Sequence, residues 1–211
     1  MAWRASAPRI FLKTADSTPQ QGTFLKKHAP RGSRAREVLE EYVDAGESLW
    51  FNNYLRGLRM NDLSKAGKEE LRKKTTVLNK LIRAAPVSQR SLVLFRAISQ
   101  NAPALQKYAR GTHADFLNKG ILSTSVTYAG ARDFLDDGDT CCMLVMLIPK
   151  GARMLEVLDA SVWAEEGEIL LPHGSIFKVM HTAVVQKVIT YYCVLVLQTR
   201  TSSPTTSPPT K

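Results

Sequence analysis

The chain has 211 residues, 44% of them apolar and 23% charged, a composition that supports a folded domain with a substantial core. Its longest apolar stretch, the nine residues Cys141–Pro149, is too short to cross a bilayer as a helix, and no secretory apolar segment opens the sequence, so no membrane association is expected. Three cysteines, two of them adjacent, build no disulfide framework. Four scattered histidines (His28, His113, His173, His181) show no metal-ligand spacing, so no metal is expected.

The net charge of +10 is unevenly spread: residues 1–90 carry 18 Lys and Arg against 9 Asp and Glu, and residues 91–211 carry 11 against 10. A basic N-terminal part suits an acidic protein partner, nucleic acid or a phosphate-bearing substrate, or else solubilises a helical surface.

In chain order, residues 1–34 are rich in Pro, Ser, Gly and Arg and read as a basic flexible arm. Between Ala35 and Met60, the spacing of Val38, Leu39, Tyr42, Leu49, Trp50, Tyr54 and Leu55 predicts two short helices, broken near Ala45-Gly46. A third helix is expected over 64–84, with Leu71, Val77, Leu78, Leu81 and Ile82 on its apolar face and Pro86 beyond its end. Thereafter short runs rich in Val, Ile, Leu and Tyr predict strands at 91–98, 121–126, 142–148, 153–157, 168–171, 175–180 and 188–197, with helices near 102–110 and 129–136. Residues 201–211 (TSSPTTSPPTK) form a Ser/Thr/Pro tail expected to be disordered, which leaves 35–200 as the folded domain. Helices first and strands afterwards predict an α+β fold, and no Gly-rich phosphate loop follows any strand.

Three strand-like segments carry polar residues where strands are usually dry. Arg96 follows Leu92-Val93-Leu94-Phe95, and a cation there needs an anion, whether a structural partner or a ligand. Ser123-Thr124-Ser125 places two hydroxyls on one face of a strand and one on the other, a spacing that an ordinary edge strand also shows. Glu166-Gly167-Glu168 precedes Ile169-Leu170-Leu171; in an extended chain both carboxylates share a face with Cα atoms about 6–7 Å apart, while Glu165 points away.

The order Arg, then Ser-Thr-Ser, then Glu-x-Glu, each at a strand, resembles the Arg/Ser-Thr-Ser/Glu-x-Glu class of mono-ADP-ribosyltransferases over residues 36–197. Tyr42 followed by Asn52-Asn53-Tyr54-Leu55-Arg56-Gly57 is similar to a helical element of that family, as are 81–96, 116–125, 148–151 and 168–179 to its strand segments. The resemblance implies N-terminal helices packed on a two-sheet β-sandwich with a central NAD cleft, and NAD as co-substrate. By the same resemblance, Glu168 stabilises the oxocarbenium-like transition state, Ser123 holds Glu168, and Arg96 meets the NAD pyrophosphate. Ala97, Thr124, Ser125 and Phe134 then belong to the NAD site, with Ala97 where the family often has Gly. Glu166 and Trp163 would handle the acceptor, a glutamate at 166 implying an arginine side chain of a target protein. The alternatives are an NAD glycohydrolase with water as acceptor and a non-catalytic basic binding module. The implied protein is a monomer acting in the cytoplasm or after delivery into a host cell.

Overall fold

Apolar residues at helical spacing build the first half of the chain. In the computed structural model, which describes residues 19–43, 47–58, 60–99, 115–135, 141–157, 167–186 and 188–197, four helices come first: α1 (Pro19–His28), α2 (Arg34–Val43), α3 (Glu47–Leu55) and α4 (Lys65–Ala84). Helix α4 begins where the Ser64 hydroxyl accepts the Gly67 N–H at 3.1 Å, and it buries Leu71, Thr75, Leu78, Leu81 and Ile82 as one stripe. Helix α2 adds the buried Val38, Leu39 and Tyr42, and α3 adds Phe51.

Helix α1 corrects the extent of the arm. Residues 19–28 lie within the segment read as flexible, yet Phe24 and Leu25, with Ala29 just beyond, are buried in the helical core. The Gln21 side chain donates from Nε2 to the Met154 carbonyl at 3.1 Å, which ties α1 to the strand region. Its sequence (PQQGTFLKKH) has too few apolar residues to show a period, so only tertiary contact makes it a helix. The helix expected near 102–110 lies outside the described residues, and the one expected over 129–136 is the shorter α5 (Tyr128–Arg132), capped by Thr127.

The strands are β1 (Leu92–Ser99), β2 (Asp115–Leu117), β3 (Leu122–Ser125), β4 (Cys141–Ile148), β5 (Leu155–Glu156), β6 (Glu168–Leu171), β7 (Ile176–Val185) and β8 (Val188–Val196). They form one eight-stranded ladder, ordered β2-β7-β8-β4-β1-β3-β6-β5. The resemblance implies a two-sheet sandwich; here all eight strands belong to one ladder, which chain reach forbids from lying flat. Strands β6 and β7 are five ladder steps apart, about 24 Å in a flat sheet, yet Leu171 and Ile176 are joined by a chain that spans at most about 17 Å. The same limit applies from Leu117 in β2 to Leu122 in β3. The turn falls between β1 and β3, which share the single register pair Phe95↔Ser125, whereas β1 pairs with β4 along its whole length.

Two apolar cores follow. One gathers the helices with Ile121, Leu155, Val157 and Leu170. The other lies within the folded sheet and includes Leu94, Leu122, Leu144, Met146, Ile169, Leu171, Phe177 and Tyr191. Strand β6 therefore sends Leu170 to the helices and Ile169 and Leu171 to the sheet core, as a two-residue period requires. Cys142 and Cys193 are buried. Among the described residues no helix is long and apolar enough to cross a membrane.

Candidate active site

Strands β3 and β6 run antiparallel, with Leu122 opposite Leu171, Ser123 opposite Leu170, and Ser125 opposite Glu168. Residues directly across a ladder share a face, so Ser123, Ser125 and Glu168 lie on the helix side with Leu170, and Thr124 lies on the other. The Ser123 hydroxyl donates to Glu168 Oε1 at 2.5 Å, a charge-assisted bond. The Thr124 hydroxyl donates across the ladder to the Ile169 carbonyl at 2.7 Å and locks the two strands together. The buried Ser125 hydroxyl accepts the Thr127 N–H at 3.1 Å, and so joins the end of β3 to the cap of α5.

Arg96 reaches the same place from β1 and donates from its guanidinium to the Ser123 carbonyl. Burial pulls its pKa below the ordinary arginine value, while the neighbouring Tyr42 phenol and Glu168 carboxylate act in the opposite sense. Tyr42 of α2 is fully buried, and burial pushes its phenol up to about 12, with Arg96 and Glu168 among the charges that act on it. Arg56, just beyond α3, also acts on both Tyr42 and Arg96. Two guanidinium groups and one carboxylate thus converge, a field that favours an anionic ligand. Sequence reasoning misses Arg56 as a site residue; its signal is its place in the Asn52–Gly57 run, four positions after Asn52.

The other expected site residues divide. Ala97 is half-buried in β1 opposite Met143 and, by strand alternation, points to the face away from Arg96. Phe134 lies just past α5 and is 67% exposed. Glu166 and Trp163 lie outside the described residues. The expectation that Glu166 shares a face with Glu168 assumes an extended chain through Gly167 and falls on a residue outside the described ones. Gly167 has φ of +57°, so the strand period begins only at Glu168. A Cβ at Gly167 would stand 2.3 Å from Val126 Cγ2, so this glycine is fixed by close packing rather than left loose. Its carbonyl accepts the Val126 N–H at 3.3 Å.

Chemically, a carboxylate held by a serine hydroxyl can stabilise positive charge that develops beside it, and fixed guanidinium groups nearby can hold a phosphate-bearing ligand. Among the described residues no group of His, Cys, Asp and Glu side chains could hold a metal ion.

Residues 20–199 match the family model described as ADP-ribosyltransferase exoenzyme. No curated protein matches the chain. Among solved structures, an ADP-ribosyltransferase from Clostridium botulinum is 14% identical, with a TM-score of 0.64 over 88% of this chain and 96% of that one. A C3 protein from S. aureus, solved with NAD, is 16% identical, with a TM-score of 0.64 over 89% and 98%. Vis toxin from Vibrio splendidus is 13% identical, with a TM-score of 0.64 over 84% and 80%, and it has also been solved in complex with agmatine.

Proposed function

The chain belongs to the ADP-ribosyltransferase exoenzyme family, enzymes that use NAD for mono-ADP-ribosylation, and we propose that it transfers ADP-ribose to an arginine side chain of a target protein. The observation that carries this reading is the 2.5 Å bond from Ser123 to Glu168 beside the half-buried Arg96. When NAD is bound, loss of nicotinamide leaves positive charge on the ribose carbon and ring oxygen. The Glu168 carboxylate, its direction set by Ser123, stabilises that charge and accepts a hydrogen bond from a ribose hydroxyl. Arg96 and Arg56 face the pyrophosphate, for which a planar guanidinium offers paired donors. Thr124 and Ser125 shape the strand beneath the nicotinamide. Phe134 and the backbone at Ala97 complete the NAD site.

The acceptor reading rests on Glu166 and on Trp163. An arginine side chain stays protonated in water and is a poor nucleophile. A carboxylate beside it orients the guanidinium and takes its proton as the new N-glycosidic bond forms, and an indole can stack on its plane. The complex of Vis toxin with agmatine, a small molecule with the same guanidinium, supports such a site in this fold.

The test is incubation with labelled NAD and agmatine. Labelled agmatine adduct is expected from the native chain, and Glu166→Gln is expected to lose the adduct while still releasing nicotinamide. Free ADP-ribose alone from the native chain would instead identify a glycohydrolase with water as acceptor.

A further inference from the structure

Two polar side chains of the helical layer are aimed at the strand that carries Ser123. The Asn52 side chain accepts the Ile121 N–H on Oδ1 at 2.8 Å and donates from Nδ2 to the Tyr42 hydroxyl at 3.3 Å. The Tyr42 hydroxyl in turn donates to the Ile121 carbonyl at 3.2 Å. Both backbone groups of Ile121, two residues before Ser123, are thus held by one Tyr–Asn pair. The pair is rigid. The Tyr42 ring packs edge-on against Phe51 with centroids 5.4 Å apart, and a Cβ at Gly120 would stand 2.5 Å from Asn52 Oδ1.

We propose that Tyr42 and Asn52 are positioning residues for NAD cleavage, which clamp Ile121 and thereby set where Ser123 holds Glu168. Burying a hydroxyl and a carboxamide in an apolar core is unfavourable unless both are bonded, and apolar side chains of the same volume would fill the space without that cost. Here the polar groups act on the backbone that enters β3. A shift at Ile121 travels along an extended strand to the Ser123 hydroxyl, which holds Glu168. Burial keeps the phenol protonated well above neutral pH, so it remains a donor throughout the working range. The inference rests on the assignment of Glu168 and Ser123 to NAD cleavage.

The test is a double-mutant cycle on nicotinamide release by the full chain, with Tyr42→Phe and Ser123→Ala singly and together. Tyr42→Phe is expected to lower kcat about tenfold, with KM for NAD changed little, because the geometry of the reacting centre and not ground-state affinity is lost. In the Ser123→Ala background the same change should alter kcat by less than about twofold, since the link it acts through is already absent. An equal factor in both backgrounds, or a loss confined to KM, would overturn the clamp. If Ser123→Ala itself leaves kcat unchanged, the underlying assignment fails, and the clamp falls with it. Gly120→Ala presses on Asn52 without removing a hydrogen-bonding group, and in the same cycle it must give the same pattern; it decides the matter if Tyr42→Phe does not fold.

Discussion

Replacing Gly167 by alanine probes how Glu168 is delivered to the site. Two costs are separable. The backbone at Gly167 is left-handed, with φ of +57°, and a residue with a Cβ pays about 1–2 kcal/mol there. The new Cβ would also stand 2.3 Å from Val126 Cγ2, where ordinary contact begins at 3.4 Å, so something must retreat by roughly 1 Å; overpacking of that kind costs about 1–3 kcal/mol. The sum is about 2–5 kcal/mol, a fall in Tm of some 4–20 °C for a chain of this size. Val126→Ala removes the obstructing methyl, and the Val126 Cβ that remains is 3.5 Å away, an ordinary contact. The double variant should therefore recover the steric part, about 1–3 kcal/mol, and keep the left-handed part. Denaturant midpoints of the two single variants, the double variant and the native chain measure the coupling. Strict additivity, or a Gly167→Ala variant as stable as the native chain, would refute the packing account.

Glu168→Gln keeps a hydrogen-bond partner for Ser123 but removes the charge, so nicotinamide release should fall about 10²–10³-fold with Tm unchanged; a residual rate near the native one would remove Glu168 from catalysis. Arg96→Lys retains the charge but loses the planar fork, and KM for NAD should rise about tenfold by steady-state assay. Alkaline stability follows from Tyr42. Its folded pKa of about 12 lies above the ordinary 10, so the unfolded chain loses its proton first and stability falls between about pH 10 and 12, by some 2–3 kcal/mol. Denaturation followed against pH should show a shallower fall over that window in Tyr42→Phe.

The part of the site that is legible in the sequence is the part where a residue type is costly in its place. An arginine after a strand core, hydroxyls inside a strand and acids against Ile169-Leu170-Leu171 each need a reason, and the structure brings Arg96, Ser123 and Glu168 together. What is not legible depends on contacts between distant segments. Helix α1 has little periodicity and is ordered by Phe24 and Leu25 in the common core. The fold of the sheet depends on ladder order, which no single strand reveals. Gly167 is ambiguous because glycine adopts extended and left-handed conformations with similar ease, so the residues alone do not say that the strand period stops there.

The position of Glu168 follows from what strand β6 does for both cores. Leu170 anchors the strand to the helices, and Ile169 and Leu171 anchor it to the sheet interior. A strand with all three apolar residues buried cannot rotate without exposing one set, and a one-residue slip would exchange the two faces. At its start the Glu168 carbonyl accepts the Val157 N–H at 2.9 Å, and on the other side the Thr124 hydroxyl holds the Ile169 carbonyl. The carboxylate is thus the first residue of a strand fixed on both faces and both edges, and it emerges on the side where Ser123 and Arg96 already stand. In the role proposed for Glu168, a group that stabilises a short-lived positive charge gains most when no reorganisation is needed at the moment of reaction, and a short strand shared by two cores supplies that rigidity.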